Sequence, residues 1–436
     1  MQFTKVCVLG LGYIGLPTAS TFAAHGLQVV GVDINPRVIS TLQNGGIHIS
    51  EPGLQGLVHD ALSSGNLTIR DIPEPADAYI IAVPTPFFED DQGEYNGQVY
   101  RLADMQAVQK ATESIVPHLQ VGNLVVLEST SPPRTTMDLV RPILERSGLK
   151  AGSDFHLAYS PERVLPGQII RELTENARVI GGIDRPSAEA GRELYAHFVK
   201  GEIVLTDATT AEMVKLMENT YRDINIAIAN EFSRLAKRFG VDIWEAIKIA
   251  NRHPRVKILN PGPGVGGHCI SVDPWFFVEA APDLTELISA ARRVNDSQPH
   301  FVMDLIRATL GNDLAGKHIA ALGLAFKPDV DDLRESPAIE VVKLLTQAGA
   351  IVRGYEPYKI DADIPDVRIV PSLDEAILEA DLLVLLVGHR ELKELDPLRV
   401  RKLTSARLVV DTVGGWDSQA WSEAGFKLIR LGVGDH

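Results

Sequence analysis

The sequence predicts an α/β protein in which two regions of alternating strands and helices flank a helical middle section. Three observations support this prediction. Apolar runs alternate with helical stretches to about residue 206, the pattern is helical over residues 207–312, and the alternation resumes from residue 313. We therefore expect three domains, 1–206, 207–312 and 313–436, with mostly parallel sheets in the first and last. A chain of 436 residues exceeds what one hydrophobic core usually serves.

The first predicted strand ends in a glycine-rich turn. Lys5 to Gly10 is an apolar run, Gly10-Leu11-Gly12-Tyr13-Ile14-Gly15 follows it, and a helical stretch extends to about Gly26. A second run begins at Gln28 and ends at Asp33. A strand, a glycine turn, a helix and a strand with an acidic end make up the βαβ unit of a dinucleotide-binding (Rossmann) fold.

The glycines of this turn have separate functions. Gly10 permits the tight turn, Gly12 lets a pyrophosphate approach the backbone, and Gly15 lets the helix pack on the strand. The helix N-terminus, which includes Tyr13 and Ile14, supplies N–H groups and partial positive charge to phosphates.

Asp33 predicts which cofactor binds. Its carboxylate would accept hydrogen bonds from the adenosine ribose and repel a 2′-phosphate, so NAD is favoured over NADP. Arg37 lies nearby, is a further candidate contact, and weakens that preference. FAD is the main alternative cofactor, and a glycine turn unrelated to any dinucleotide is the other alternative.

Two later loops follow predicted strands of the same sheet. They are Val83-Pro84-Thr85-Pro86 and Glu128-Ser129-Thr130-Ser131-Pro132. Ligands of open α/β sheets bind outside the carboxyl ends of strands, so Thr85 and Thr130 are candidate cofactor contacts. Turn chemistry explains these two threonines equally well.

The acidic segment Phe88 to Gly97 is predicted to be the most mobile loop. The strand predictions here are Ala78–Val83, Leu124–Leu127, Phe155–Tyr159 and Val179–Gly182.

The middle section is predicted to consist of long helices. Apolar residues recur at three- and four-residue spacing from Thr209 to Asn251, and Leu284 to Leu310 is helical apart from a break near Pro299. These helices carry more apolar residues than a linker needs, so we expect them to form a homodimer interface. The last region has strand candidates at His318–Phe326, Ile351–Tyr355, Leu382–Val387 and Leu408–Val413.

Charge and cysteine content exclude several classes of protein. Lys and Arg number 42 against 57 Asp and Glu, a net charge of −15, which argues against nucleic-acid binding and docking on anionic membranes. Two cysteines, Cys7 and Cys269, make no disulfide framework. No apolar run approaches the length of a membrane span, and no signal peptide is evident, so we expect a cytoplasmic protein.

The segment from Pro261 to Trp275 carries the strongest chemical signal. Cys269 follows a run of glycines and prolines, and Asp273 lies four residues later. A thiol on a rigid loop beside a carboxylate is a candidate nucleophile, with a buried structural cysteine as the alternative. His268 and Cys269 are adjacent and lack the spacing of metal ligands, so no metal is predicted.

Polar residues on one helix face and one loop complete the candidate site. Lys215 and Asn219 are four residues apart, Arg222 extends their face, and such a pair could stabilise an oxyanion, although a solvated face is commoner. Glu162 follows a predicted strand and is a candidate general base.

These motifs resemble the UDP-glucose/GDP-mannose dehydrogenase family over nearly the whole chain. The matching pieces are GLGYIG, VPTP, EST, SPER, KLMEN, GPGVGGHC followed by Asp273, and GLAFKPDVDDLRES. Within the family, SPERVLPG, YRDINIAIANE, ANRHPRVKIL and GGHCISVDPWF most resemble members that act on UDP-N-acetylmannosamine, with UDP-N-acetylglucosamine as the alternative substrate. The resemblance implies an N-terminal NAD-binding Rossmann domain, a central helical dimerisation region and a C-terminal Rossmann-like UDP-sugar-binding domain.

The resemblance also implies a chemistry. C6 of the sugar is oxidised to a carboxylate in two hydride transfers to NAD, through a thiohemiacetal and then a thioester on Cys269. Lys215 and Asn219 match the oxyanion-stabilising pair, and Asp273 matches the carboxylate that handles the alcohol proton. Glu162 matches the residue implicated in thioester hydrolysis, and Thr130 the threonine that positions water.

Further contacts follow from the same resemblance. Arg334 matches a cofactor contact, and Arg255 resembles an arginine that reaches the partner subunit's site, with Arg252 as its alternative. The implied substrate contacts are Glu162, Arg163, Val164, Lys215, Asn219, Arg222, Arg252, Arg255, Gly266 and Lys327.

Two other functions compete with this one. A two-electron 3-hydroxyacid dehydrogenase would share the N-terminal fold and helical middle, but it needs neither Cys269 nor a second α/β domain. A non-catalytic NAD-sensing protein has no use for Cys269, Lys215, Asn219 and Asp273 together. The yield of NADH per sugar separates the three hypotheses.

Overall fold

The computed structural model describes residues 2–165 and 167–434, which divide into two compact units. The first unit runs to Glu218 and includes Trp275–Leu284, and the second comprises Asn219–Pro274 and the chain from Thr285 onward. The predicted division into domains 1–206, 207–312 and 313–436 stays a prediction.

The first unit is built on a large, mostly parallel sheet. Its strands are β1 Lys5–Leu9, β2 Gln28–Val32, β3 Leu67–Arg70, β4 Ala78–Ile81, β5 Phe87–Tyr95, β6 Gln98–Ala103, β7 Leu124–Leu127, β8 His156–Tyr159, β9 Arg178–Gly182 and β10 Ile203–Asp207. Eight of them form one sheet in the order β10-β9-β8-β7-β4-β1-β2-β3. The β8–β9 pair is antiparallel and the other neighbours are parallel.

Both faces of this sheet are buried, which explains its continuous apolar strands. In β1, Val6 and Val8 pack in one core, while Cys7 and Leu9 pack in another. The helices that start in this unit are α1 Gly15–Ala24, α2 Pro36–Gln43, α3 Leu54–Ser63, α4 Gln106–Ile115, α5 Arg141–Leu144, α6 Ile169–Glu175, α7 Arg185–Tyr195 and α8 Ala208–Phe239, with shorter helical turns at Val116–His118, Thr136–Val140 and Glu145–Ser147.

The acidic segment predicted as a mobile loop is instead a β-hairpin. β5 pairs antiparallel with β6 in a separate two-stranded sheet. The Phe87 ring packs edge-on against Phe276, with 5.7 Å between centroids, and the Ala103 N–H donates to the Glu279 Oε2 at 2.9 Å. The loop prediction was therefore wrong, because this polar segment is held in place by contacts with residues far away in the sequence.

The second unit contains a smaller parallel sheet. Its strands are β11 His318–Leu322, β12 Ile351–Tyr355, β13 Arg368–Ile369, β14 Leu382–Leu385, β15 Leu408–Asp411 and β16 Lys427–Arg430. Their order, β13-β12-β11-β14-β15-β16, is that of a dinucleotide-binding sheet, 3-2-1-4-5-6. The consecutive residues Ile319 and Ala320 pack in separate cores, so both faces of this sheet are buried as well. The α/β fold predicted from the sequence is confirmed.

Helices cover most of the two stretches predicted to be helical, Thr209–Asn251 and Leu284–Leu310. The break near Pro299 falls between α11 Glu286–Asp296 and α12 Gln298–Leu310, where a proline at the start of α12 replaces a backbone N–H that has no intrahelical partner. No helix within the described ranges has the length and hydropathy needed to cross a bilayer. The α-helices that follow α8 in the chain are α9 Ile243–Ala250, α10 Asp273–Ala280, α11 Glu286–Asp296, α12 Gln298–Leu310, α13 Pro337–Gln347, α14 Leu373–Ile377, α15 Arg390–Lys393, α16 Pro397–Leu403 and α17 Ser418–Glu423.

Candidate active site

The glycine turn after β1 has the geometry that a dinucleotide requires. Gly10 has φ +91°, and a Cβ there would lie 2.6 Å from the Ala82 carbonyl oxygen. A Cβ on Gly15 would lie 1.8 Å from the Gly10 carbonyl oxygen, whereas one on Gly12 would meet no described atom within 4 Å. Gly10 and Gly15 therefore serve packing, and Gly12 leaves open space beside the backbone.

The N-terminus of α1 adds an electrostatic element to this turn. Tyr13 and Ile14 lead into the helix, and among the described residues no side chain caps it and no acidic residue lies in its first turn. Backbone N–H groups and the positive end of the helix dipole therefore face the loop. This arrangement fits a pyrophosphate, so the residues present suit NAD.

Asp33 lies beside this turn, at the end of β2. Its Oδ2 accepts the Leu11 N–H at 3.0 Å and its Oδ1 accepts the Asn35 N–H at 2.8 Å. The residue is half-buried, so the carboxylate is oriented but accessible. Arg37 is exposed, and its backbone N–H donates to the Asn35 cap of α2 at 3.0 Å.

The two candidate threonines are brought together by the pairing of β4 with β7. The Thr85 hydroxyl donates to the Thr130 carbonyl at 2.7 Å, and the Ser129 hydroxyl donates to the Val83 carbonyl at 2.7 Å. Both loops therefore lie at the carboxyl ends of adjacent strands, on the same edge as the glycine turn.

Glu162 follows β8 and is held at both carboxylate oxygens. Its Oε1 accepts the Arg163 N–H at 2.7 Å, and its Oε2 accepts a hydrogen bond from the Arg178 Nη2. The Arg163 guanidinium donates to Glu218 at 2.7 Å and to the Ala177 carbonyl. Val164 packs on the core of the first unit, and Pro166 of the same motif lies outside the described residues.

Behind Glu162 lies a buried polar cluster that the sequence reasoning missed. Arg178 and Glu128 form an ion pair at 3.2 Å, and Tyr195 donates its hydroxyl to Glu128 at 3.0 Å. Burial raises the pKa of Glu128 to about 7, although Arg178 opposes this shift. An arginine at the start of an apolar strand, Arg178-Val179-Ile180, was the available signal.

Four of the predicted chemical residues lie on two helices, α8 and α10. Lys215 is buried and Arg222 is exposed, both on α8. The Asn219 amide donates to the Asp273 Oδ2 at 2.5 Å, and Asp273 is only 1% exposed. The structure thus brings Asn219 and Asp273 together.

Cys269 is exposed on a loop whose glycines are required by close packing. A Cβ on Gly266 would lie 2.2 Å from the Glu335 carbonyl oxygen, and one on Gly267, which has φ +87°, would lie 2.7 Å from the Phe326 ring. The Asp273 N–H donates to the Cys269 carbonyl at 2.8 Å. The cysteine loop is therefore packed against the loop that follows β11.

That second loop carries the predicted basic contacts. The Lys327 Nζ lies 5.5 Å from the centroid of the Phe326 ring, and the exposed Arg334 donates to the Asp332 carboxylate at 2.8 and 2.6 Å. Arg252 and Arg255 are exposed in the segment after α9. The described residues contain no group of three or more His, Cys, Asp or Glu that could hold a metal.

Comparison with known proteins identifies the family. Residues 4–199 match the NAD binding domain of the UDP-glucose/GDP-mannose dehydrogenase family, 209–297 its central domain and 320–418 its UDP binding domain. The chain belongs to this family. It is therefore an NAD-dependent dehydrogenase of sugar nucleotides, and the predicted NAD cofactor is confirmed over the FAD alternative.

Individual relatives are similar along almost the entire chain. UDP-N-acetyl-D-mannosamine dehydrogenase of Methanocaldococcus jannaschii is 47% identical, with 99% of this chain and 97% of the relative covered. NDP-N-acetyl-D-galactosaminuronic acid dehydrogenase of Ralstonia solanacearum is 46% identical, with 96% and 98% covered. The solved structure of the UDP-D-ManNAc dehydrogenase of Pyrococcus horikoshii superposes with a TM-score of 0.90 at 40% identity, covering 99% of this chain and 100% of that one.

Proposed function

We propose that the protein oxidises C6 of a UDP-N-acetylhexosamine to the uronic acid, with UDP-N-acetylmannosamine as the preferred sugar. The observation that carries this proposal is the full-length similarity to the M. jannaschii UDP-N-acetyl-D-mannosamine dehydrogenase, 47% over 99% of the chain. The R. solanacearum relative acts on a galactosamine-derived sugar at 46% identity. The sugar panel below therefore includes both configurations.

Cys269 is the proposed nucleophile. NAD, when bound, accepts one hydride in each of two oxidations. The thiolate of Cys269 adds to the C6 aldehyde after the first oxidation, and the resulting thiohemiacetal is oxidised to a thioester in the second. Exposure of Cys269 on a rigid glycine-supported loop supports this role.

Asn219, Asp273 and Lys215 are proposed to control charge and protons during the oxidations. One N–H of the Asn219 amide is donated to Asp273 at 2.5 Å, which fixes the amide so that its second N–H can meet an oxyanion. Asp273 takes the alcohol proton through a water, and Lys215 stabilises the oxygen that carries negative charge.

Glu162 and Thr130 are proposed to complete the reaction by hydrolysis. Glu162 removes a proton from water that Thr130 positions, and the water oxygen attacks the thioester carbonyl carbon. The C–S bond then breaks, its electron pair returns to the Cys269 sulfur, and the carboxylic acid is released. Two hydrogen bonds fix the Glu162 carboxylate for this task.

The remaining predicted contacts are proposed to bind the two nucleotides. Lys327 would hold the UDP-sugar and Arg334 the cofactor, since basic side chains form charge-assisted hydrogen bonds to phosphates. Other proposed substrate contacts, which rest on the family resemblance alone, are Arg163, Val164, Arg222, Gly266, and Arg255 or its alternative Arg252.

We also propose a homodimer held by α8. A set of large apolar side chains on this helix is between 40% and 72% exposed: Met213, Met217, Tyr221, Ile228, Phe232, Leu235 and Phe239. Exposed apolar surface of this extent is typical of an interface. Light scattering at assay concentration should give twice the 47.5 kDa chain mass, and a fully active monomer would exclude this interface.

The substrate and stoichiometry are tested together. Purified protein is assayed with UDP-N-acetylmannosamine, UDP-N-acetylglucosamine, UDP-N-acetylgalactosamine and UDP-glucose, and NADH is counted per sugar consumed. We expect the highest kcat/KM with the first and two NADH per sugar. One NADH would indicate a two-electron dehydrogenase, and a preference for UDP-glucose would reject the N-acetylhexosamine assignment.

The covalent mechanism is tested at Cys269, with Cys7 as the matched control. Cys269→Ser should retain nucleotide binding but lose at least about three orders of magnitude in turnover, on the order of 4 kcal/mol of barrier. Glu162→Gln should accumulate a thioester on Cys269, visible by intact-protein mass spectrometry. Cys7→Ala, at a buried position in β1, should keep its turnover. Acid formation by Cys269→Ser near the wild-type rate would show that Cys269 is structural.

A further inference from the structure

Arg178 connects Glu162 to the interior of the first unit. Its side chain is only 4% exposed. The Nη2 donates to the Glu162 Oε2, and the Nη1 donates to the Glu128 Oε1 and to the Ser160 hydroxyl, both at 3.2 Å. One guanidinium therefore bridges the proposed hydrolytic carboxylate and a second carboxylate behind it.

An aromatic ring packs against this guanidinium from one side. The Arg178 Cζ lies over the Tyr195 ring, 4.1 Å from its centroid, a cation–π contact. The Tyr195 hydroxyl also donates to the Glu128 Oε1 at 3.0 Å. Tyr195 thus supports both members of the inner ion pair.

One carboxylate is enough to neutralise Arg178, yet a second carboxylate, Glu128, is buried against it. The side chain of Glu128 is 0% exposed and that of Glu162 is 9% exposed, so two carboxylates share one arginine in a dry environment. Burying a second carboxylate is costly. Burial raises the pKa of Glu128 to about 7, whereas the neighbouring carboxylates outweigh the effect of burial on Arg178 and raise its pKa, which keeps it cationic.

We infer that Arg178 is a positioning residue that aims Glu162 at the hydrolytic water, and that Glu128 and Tyr195 hold Arg178 in that orientation. The inference rests on the proposed hydrolytic role of Glu162. Arg178 exchanges no proton and meets no reacting atom. It holds the Oε2 of Glu162, so that the second lone pair of Oε1, which also accepts the Arg163 N–H, faces the water. A displacement of about 1 Å at such a base can cost up to a hundredfold in rate.

The test measures which step slows down. The assay is run above about pH 8, where the wild-type Glu128 carboxyl is ionised. Glu128→Gln keeps the shape of that side chain but removes its charge, and Arg178→Lys retains the charge but loses the two-armed donor. Both variants should keep the first rapid release of NADH and a KM for the sugar within about twofold, while steady-state turnover falls by about tenfold or more. The thioester on Cys269 should become visible by intact-protein mass spectrometry in both.

Two further variants make the result decisive. Arg292→Lys disturbs a comparably buried ion pair, Arg292 with Asp223 at 2.5 Å, which contains none of the residues proposed to act in hydrolysis. It should lose stability without accumulating a thioester. Glu162→Gln reports on the proposed function itself. If it accumulates thioester but Glu128→Gln and Arg178→Lys do not, the positioning role is wrong. If Glu162→Gln accumulates none, the hydrolytic role of Glu162 and this inference both fail.

Discussion

The first four strands lie in the same spatial order in both sheets, β3-β2-β1-β4 in one and β13-β12-β11-β14 in the other. The acidic residue that follows the second of these strands has a different role in each sheet. Asp33 follows β2 and accepts the Leu11 N–H from the loop after β1 at 3.0 Å. Glu356 follows β12 and accepts the Leu324 and Ala325 N–H groups from the loop after β11 at 2.7 and 2.9 Å. Both carboxylates therefore anchor the first loop of their sheet.

Only one of these carboxylates is available to a ligand. Asp33 is half-buried, whereas Glu356 is 0% exposed and also accepts the Tyr358 N–H at 3.1 Å and the His389 Nε2 hydrogen at 3.0 Å. The His389 Nδ1 accepts the Asp329 N–H at 2.9 Å, so the ring hydrogen lies on Nε2. The hydrogen-bonding capacity of Glu356 is therefore taken up by the protein.

The loops that follow the first strands differ in the same sense. α1 begins at Gly15, directly after the glycine turn, while α13 begins only at Pro337, well beyond Gly323. The longer loop carries Lys327 and Arg334 in place of a helix N-terminus. Strand order alone therefore does not make a dinucleotide site. An accessible carboxylate and an adjacent helix N-terminus are needed as well.

The largest effect is expected at Glu356. Glu356→Gln removes the charge and places an amide against buried N–H groups, so we expect a loss of about 2–4 kcal/mol in the free energy of unfolding. Urea denaturation measures it, and the preference for NAD over NADP should not change. A loss below about 1 kcal/mol would show that this carboxylate is no more structural than Asp33.

A smaller effect, on ligand choice, is expected at Asp33. The wild type should prefer NAD over NADP by more than about tenfold in kcat/KM, which is about 1.4 kcal/mol, because a 2′-phosphate would meet the Asp33 carboxylate. Asp33→Asn should lower that ratio several-fold while changing the unfolding free energy by less than about 1 kcal/mol. Equal wild-type rates with both cofactors would contradict the role given to Asp33.

The smallest effect compares the pH dependence of two buried carboxylates, one from each sheet. Burial raises the pKa of Glu128 from 4.5 to about 7, so its protonated form is favoured in the folded state. Its contribution to stability is full below about pH 4.5 and is lost as the pH rises through 7. Burial also acts to raise the pKa of Glu356, but the hydrogen bond from His389 and the loop N–H groups outweigh it and lower that pKa. Its contribution is present above pH 4.5 and is lost in acid.

Urea denaturation across neutral pH separates these two behaviours. Relative to wild type, Glu128→Gln should gain about 1 kcal/mol of stability between about pH 6 and pH 8. The difference between wild type and Glu356→Gln should stay constant over the same range. A constant difference for Glu128→Gln would mean that Glu128 does not titrate there.

Features determined by short stretches of sequence were predicted well. The glycine turn, Asp33 and the apolar strands depend on neighbouring residues and on burial of both sheet faces, which the sequence displays directly. Strand ends were less accurate: the run His318–Phe326 ends as a strand at Leu322, because Gly323 takes φ +83°. The fold class and cofactor followed from these local signals.

Features that depend on distant partners were missed. The Glu128–Arg178 pair joins residues 50 positions apart, and Glu356 and His389 are 33 apart. The hairpin of β5 and β6 is rich in acidic residues, which have low strand propensity, and it is supported by Phe276 far along the chain. Such pairings depend on the order of strands in space, which composition and periodicity do not reveal.

Only one of the two cysteines is accessible to thiol reagents in the folded protein. Cys7 lies in the middle of β1, is 0% exposed, and burial raises its thiol pKa to about 12, so it is inert in the native state. Cys269 is exposed. A thiol-directed reagent therefore modifies Cys269 on the native protein and reaches Cys7 only after unfolding. The number of thiols modified per chain is thus one for folded protein and two for unfolded protein, so a thiol titration measures the unfolded fraction of a sample.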